Sequence, residues 1–285
     1  MEPTITNDTI TYRVRTHNTS ADSDNRMHSD EVARRYGFGG ALVPGVTVFS
    51  HMTRPLVAHY GATWLERGWA DVSFVKPAYE GELLTVRAVP VPDAGDDLEF
   101  TLSCSNEAGV ELARMQAGRI ETPRQPDVRA ELKPAQPPAV RQEATWERMV
   151  VGTPFPALDW RPAAAESIEW CEAVGDDLPL YREGEAPPLH PGLVLRQANL
   201  VLRNRFVLPA WIHVGSRITF HAAPRAGRDY QVRCVPEEKW ERKGHELVRL
   251  YVALRSEGRT LVEILHTAIF RPQPKEPAPA RLVSG

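Results

Sequence analysis

Apolar and polar residues alternate near the start of the chain. Ile10, Tyr12 and Val14 interleave with Thr11, Arg13 and Arg15, the two-residue period of a half-buried strand. After Pro44-Gly45 the period lengthens. Val46, Phe49, Met52, Leu56 and Tyr60 recur at steps of three and four, which predicts a helix with one apolar face. Pro55 removes a backbone donor inside that helix and is expected to kink it near His51. Four stretches rich in β-branched residues follow, at 71–75, 83–89, 98–103 and 111–120, and read as strands.

The same succession then recurs. Pro191-Gly192 opens a run from Leu193 to Leu208 that is apolar on more than one side, so a deeply buried helix is expected, followed by strand patterns at 212–220, 229–235, 247–254 and 260–270. Gly81 to Pro90 (GELLTVRAVP) lies over Gly227 to Pro236 (GRDYQVRCVP), and Gly109, Leu112 and Pro123 lie over Gly258, Leu261 and Pro272, an offset of 146 to 149 residues throughout. A tandem duplication follows, each copy a helix plus a run of antiparallel strands and hence an α+β unit.

Proline placement divides the copies. Pro123, Pro126, Pro134, Pro137 and Pro138 crowd a segment with almost no apolar periodicity, which cannot extend a central strand or helix. The expected organisation is a first domain at 1–122, a linker at 123–143, a second domain at 144–272 and a flexible tail at 273–285. Pro90 and Pro236 are expected to end matching strands.

Charge and composition exclude several classes of function. With Lys+Arg 34 against Asp+Glu 37, spread along the chain, there is no basic footprint for nucleic acid. Cys104, Cys171 and Cys234 lack metal-ligand spacing and cannot all pair, so a reducing, cytoplasmic setting without a metal site is expected. No apolar run suits a membrane span, and the first residues lack the pattern of a secretion signal.

The densest reactive cluster runs from Ser20 to Asp30 (SADSDNRMHSD), followed by Tyr36-Gly37-Phe38-Gly39-Gly40 and Pro44-Gly45, then by Phe74, Pro77 and Gly81-Glu82. Over most of residues 15–122 this resembles the MaoC-like (R)-specific enoyl-CoA hydratases and dehydratases, whose motif reads Ser-Gly-Asp-x-Asn-Pro-x-His. Ser20, Asp22, Asn25 and His28 fall in the motif's order. One residue more than in the motif separates Asp22 from Asn25, Arg26 stands for its proline, and Pro44 stands for the histidine before the helix glycine. Either Asp22 or Asp24 can therefore be the motif acid; Asp22 is favoured, because Ser20-Ala21 keeps the small-residue approach.

The resemblance implies a double hotdog fold, each half an antiparallel sheet wrapped around a long central helix. It also implies a hydro-lyase acting on enoyl and (R)-3-hydroxyacyl thioesters of coenzyme A or a carrier protein in fatty acid metabolism, with no cofactor. The implied catalytic residues are Asp22, His28 and Gly45, with Asn25 and Asp24 near the substrate. Such a reaction deprotonates a water, protonates the α carbon and stabilises an enolate oxygen. A His–carboxylate pair suits the proton transfers, and amides at a helix N-terminus suit the oxyanion. The second half carries a degenerate copy, Gly175-Asp176-Asp177-Leu178-Pro179-Leu180-Tyr181 and His190-Pro191-Gly192, with leucine for the asparagine and tyrosine for the histidine. It is expected to support rather than catalyse, in a monomeric pseudo-dimer or a homodimer. A hotdog thioesterase and a non-catalytic acyl-binding partner subunit are the alternatives.

Taken without the resemblance, residues 22–30 also describe an ordinary polar turn running into a helix capped by Ser29, and Asn25 an Asx turn. Trp64, Trp69 and Trp211 read as core or pocket-wall residues.

Overall fold

The computed structural model describes residues 4–6, 9–20, 25–92 and 98–274. The first half comprises β1 (Thr4–Thr6), β2 (Thr9–Arg15), α1 (Asp30–Arg35), α2 (Gly45–Tyr60), α3 (Ala62–Arg67), β3 (Gly68–Phe74), β4 (Leu83–Pro90), β5 (Leu98–Ser105) and β6 (Glu111–Arg119). The second comprises β7 (Gln142–Glu143), β8 (Leu158–Trp160), α4 (Ala164–Ala173), α5 (Pro191–Arg205), β9 (Phe206–Val207), β10 (Ile212–Phe220), β11 (Tyr230–Arg242), β12 (His245–Ser256) and β13 (Arg259–Arg271).

Eleven strands form one sheet in the order β1-β2-β4-β5-β6-β3-β10-β13-β12-β11-β8. Leaving out β1, the order is a palindrome about the β3–β10 junction, because β2, β4, β5, β6 and β3 correspond in turn to β8, β11, β12, β13 and β10. The junction itself is antiparallel pairing, Gly215 opposite Ser73 through Thr219 opposite Trp69. Turn glycines match as well. Gly81 and Gly227 both have φ 76°, and Gly109 and Gly258 have φ 72° and 75°, a left-handed conformation that glycine alone adopts without strain. Alternation sets the faces: in β4, Leu84, Val86 and Ala88 are buried while Arg87 and Val89 are exposed.

Two expectations are corrected. Pro236 does not end its strand; β11 continues to Arg242, and the proline lies beside a register shift between Pro236 and Glu238, where a missing donor is tolerated. The second helix stops at Arg205 rather than Leu208, because Phe206 and Val207 pair in parallel with Gln142 and Glu143.

The central helix α2 is also more enclosed than its one apolar face suggests: every residue from Val46 to Val57 is buried. The reason is α5, which covers the polar side. A Cβ on Gly192 would lie 1.8 Å from Ser50 Oγ and 3.1 Å from the Val46 carbonyl oxygen, so the helices cross with no room for a side chain. The enclosed polar groups find partners: Thr47 Oγ1 meets Thr19 Oγ1 at 2.7 Å, His51 Nε2 meets Thr16 Oγ1 at 3.0 Å, and Ser50 donates to the Val46 carbonyl.

Candidate functional site

Asn25, His28 and Gly45 converge where the first half meets the second. Asn25 precedes a 3-10 turn at Arg26–His28, and its Oδ1 accepts from the Met27 amide at 3.3 Å, the expected Asx turn. The fully buried Met27 anchors the turn against Leu42 and Ala210. Helix α1 starts at Asp30, yet Ser29 does not cap it, because its hydroxyl donates to the Arg26 carbonyl.

Asn25 itself is held by the second half: its Nδ2 donates to the Trp211 carbonyl at 3.1 Å and its Oδ1 accepts from the Trp211 amide at 3.3 Å. Those opposed bonds fix which way the side-chain amide points. Nδ2 therefore faces His28 Nε2, 3.2 Å away, and Nε2 must accept. The ring proton is then on Nδ1, donated to the Leu42 carbonyl at 2.7 Å. Burial pushes the His28 pKa below its ordinary value; the Leu42 carbonyl acts in the opposite sense, and Arg203 lowers it further. His28 is a neutral imidazole at neutral pH, with its lone pair on Nε2. Sequence reading placed Asn25 near substrate and Trp211 in a core or pocket wall but missed the bonds between them, because a backbone contact carries no side-chain signature.

Two cavities flank this histidine. One, of about 340 Å³, is largely apolar and includes Phe38, Leu42, Phe74, Ile212 and Ile269 in its wall. The other, of about 470 Å³, is more polar, with Asn18, Thr19, Ser20, Arg196 and Arg203. Asn25, His28, Pro44, Asn199 and Trp211 line both. The N-terminus of α2 stands at the same divide, Gly45 on the apolar side and Val46 on the polar side. Thr47 and Val48 donate to the Pro44 carbonyl, which leaves the Gly45 and Val46 amides without an intrahelical acceptor at the positive end of the helix dipole, where they suit a developing negative charge. Gly45 also has a packing role, since a Cβ there would come within 2.9 Å of both His213 Nδ1 and Phe74 Cε2. Phe74 and Pro77 line the apolar cavity, whereas Glu82 accepts from the Tyr79 amide and from Asn106 Nδ2 in a structural turn. Trp211 is a cavity wall and Trp64 is core, as anticipated.

Asp22 and Asp24 lie outside the described residues, as do residues 275–285 of the tail. Ser20 and Asn25, on either side of the segment that contains both aspartates, line the polar cavity.

The second half has a 3-10 turn, Pro179–Tyr181, at the corresponding place, with Leu178 where the first half has Asn25. Its chemistry was not foreseen. His190 caps α5 by accepting the Gly192 amide on Nδ1 at 3.0 Å, so its Nε2 carries the proton and donates to Asp176 Oδ2 at 3.1 Å. Asp176 also faces Arg54 Nε of α2 at 3.3 Å, and Arg54 reaches Asp177 at 2.7 Å. Burial drives the Asp176 pKa up, but His190, the Leu178 amide and Arg54 together hold it below the usual carboxylate value. Asp176, Tyr181 and His190 are at most 3% exposed. The signal available was His190 directly before the Pro-Gly, where the first half has Val43. Among the described residues no three His, Cys, Asp or Glu side chains converge as metal ligands.

No protein-family model matches the sequence, and no curated protein matches it. Solved structures do. A MaoC-like dehydratase superposes with TM-score 0.60 at 13% identity, covering 91% of this chain and 97% of the other. A protein assigned as a MaoC domain dehydratase, from Chloroflexus aurantiacus, gives 0.62 at 12%, covering 93% and 95%. A conserved hypothetical protein of Mycobacterium tuberculosis, described as a double hotdog, gives 0.58 at 13%, covering 90% and 93%. The fold is a double hotdog. Solved structures similar to this chain include MaoC-like dehydratases and also a protein assigned as an oleoyl thioesterase. At these identities the likeness is one of fold. Among the described residues no helix is long and apolar enough to cross a membrane.

Proposed function

We propose that this double hotdog protein is a hydro-lyase that adds water to an enoyl thioester, or removes it from an (R)-3-hydroxyacyl thioester, of coenzyme A or a carrier protein. The observation that carries the reading is His28: a neutral imidazole with its Nε2 lone pair oriented by Asn25, at the divide between an apolar and a polar cavity and beside the N-terminus of α2.

The acyl chain occupies the apolar cavity and the pantetheine arm leaves through the polar one, where Arg196 and Arg203 offer charge to phosphate. The thioester carbonyl meets the first-turn amides of α2, including Gly45, which stabilise the enolate oxygen. His28, with Asp22 or Asp24, takes a proton from water as its oxygen attacks the β carbon, and returns a proton to the α carbon. Asn25 Nδ2 occupies that same lone pair in the resting site, so the Asn25 bond is given up as Nε2 takes the proton, and the amide hydrogen then opposes a protonated Nε2 and keeps the proton mobile. Residues 1–122 act as the catalytic half and 144–272 as the supporting half, joined by 123–143. One chain supplies both units, and Cys104, Cys171 and Cys234, all buried and unpaired, suit a reducing cytoplasm.

The test is the enoyl absorbance of a panel of enoyl-CoA substrates of increasing chain length, with wild type, His28→Ala, Asp22→Asn and Asp24→Asn. Loss of absorbance that depends on His28 and on one of the two aspartates is expected. An unchanged signal across the panel, or full activity in His28→Ala, overturns the reading. Release of free thiol from saturated acyl-CoA would instead assign a thioesterase, and binding without turnover a partner subunit.

A further inference from the structure

A second histidine stands at the same helix N-terminus, and it comes from the other half. His213 lines the apolar cavity at the start of β10, 8% exposed, with its ring 4.8 Å from that of Phe74. Strand parity alone would turn it away. Ser216, Ile218 and Phe220 point into the core, so position 213 would face outward in a regular strand. A β-bulge between His213 and Gly215 inserts one residue and brings the histidine inward.

There His213 Nε2 meets Ser216 Oγ at 2.8 Å, and the same oxygen meets Nδ1 of His266 on β13 at 3.0 Å. Ser216 and His266 are 4% and 0% exposed, and the two histidine rings lie with centroids 4.2 Å apart at a tilt of 36°. The two outer nitrogens, His213 Nδ1 and His266 Nε2, are buried and have no hydrogen-bond partner. Burial, and then the neighbouring His266, push the His213 pKa far below its ordinary value against the Gly215 backbone, which acts in the opposite sense, and burial takes His266 to about 3. Both rings are therefore neutral.

Two neutral imidazoles and one hydroxyl carry three hydrogens. If both rings donated to Ser216 Oγ, the hydroxyl hydrogen itself would be left without a partner. Where the hydroxyl fills one internal bond, a ring N–H fills the other and the third hydrogen sits on an outer nitrogen, either His213 Nδ1 or His266 Nε2; rotation of the Ser216 hydroxyl with a change of tautomer in each ring exchanges these two arrangements. His213 Nδ1 is the end next to the helix, 2.9 Å from where a Gly45 Cβ would be.

We infer that His213 Nδ1–H is an additional donor to the thioester carbonyl oxygen, beside the first-turn amides of α2 and contributed by the second half. The inference rests on the thioester reading above. An orphan buried N–H is costlier than an orphan lone pair, so a bound carbonyl selects the arrangement with the hydrogen on Nδ1 and leaves the bare nitrogen at His266. It gives the absence of a Cβ at residue 45 a chemical purpose as well as a packing one.

The test combines kinetics with imidazole ¹⁵N NMR. His213→Phe keeps the ring volume and removes the donor. A kcat lower by about 10²–10³, with KM within a few-fold, is expected on loss of one oxyanion donor. His213→Gln, which restores an N–H, should recover part of it. In the wild type, saturating butyryl-CoA, which lacks the double bond, should move the His213 signal to the Nδ1–H tautomer. Wild-type kcat in a folded His213→Phe, or a tautomer unchanged by bound butyryl-CoA, overturns the inference and leaves the hydro-lyase reading standing. Equal losses for Phe and Gln accompanied by a lowered Tm would assign a packing role and overturn it too. If the wild type neither binds butyryl-CoA nor turns over an enoyl-CoA, the thioester reading itself fails.

Discussion

Asn25→Asp replaces one amide nitrogen by oxygen, almost without changing volume, and reverses the polarity of the group facing His28. In the wild type Nδ2 donates toward Nε2 at 3.2 Å and to the Trp211 carbonyl at 3.1 Å. A carboxylate can do neither. At 3.2 Å, with an effective dielectric of about 20, a unit charge pair is worth about 5 kcal/mol. Paired groups in proteins realise shifts of about 1–3 pKa units. The sign is upward, because the carboxylate favours imidazolium and calls for a proton on Nε2. His28, held below its ordinary pKa by burial in the wild type, should titrate about 1–3 units higher, and the acid limb of kcat/KM against pH should move by the same amount. The loss of the bond to buried Trp211 costs about 1–3 kcal/mol of stability in addition. ¹⁵N titration of His28 measures the shift without reference to activity. Asn25→Leu, the residue at the corresponding position 178, removes the bonds without adding charge and should show no upward shift. A folded Asn25→Asp protein whose His28 titration and acid limb both match the wild type would falsify the account of the site.

Four further outcomes are expected. Replacing Arg196 and Arg203 by Gln should raise KM for an acyl-CoA by about tenfold or more relative to the change for the N-acetylcysteamine thioester, which has no phosphate; an equal change in both would remove the arginines from substrate recognition. Gly192→Ala places a Cβ 1.8 Å from Ser50 Oγ, so it should destabilise by about 1–3 kcal/mol in urea unfolding, and Ser50→Gly should restore part of that loss. Arg54→Met leaves Asp176 buried without its cation and should cost about 3–5 kcal/mol, read as a lowered Tm. His51 and His266 titrate at about 3 in the fold against 6.5 when unfolded, so the unfolded state binds more protons between those values. Stability should be complete above pH 6.5 and fall below it by about 1.4 kcal/mol per pH unit for each histidine; a urea midpoint flat from pH 6.5 to 4.5 would contradict the burial of both rings.

The sequence showed the duplication and the element types because period and turn chemistry are local: Gly81 and Gly227 mark the same turn in both copies, and Val46 to Tyr60 repeat at helical spacing. It misjudged what depends on the other copy. The spacing predicted one apolar face for α2, yet Ser50, His51 and Arg54 are buried too, by α5 and by the loop of Asp176. The partners of His28 are backbone atoms of Leu42 and, through Asn25, Trp211, and backbone atoms leave no trace in composition. His213 and His266 were passed over because a two-residue alternation gives no notice of a bulge that changes which face a side chain takes. The pairing of Asp176 with His190 went unread because the motif directed attention to Tyr181.

The β3–β10 junction bears on how the two copies can diverge. Two separate chains meeting at such a seam would be identical, and any change to one face of the seam would appear on the other. Here the seam joins stretches that mutate independently, so Asn25 can be held by a tryptophan backbone that has no duty to hold a second asparagine, and the place opposite can close around Arg54, Asp176 and His190. A chain assembled from two copies of residues 1–122 would inherit the His28 loop twice and neither Trp211 nor His213. The asymmetry is thus a property of the covalent pairing, and a symmetric reconstruction from the first half should not recover the site.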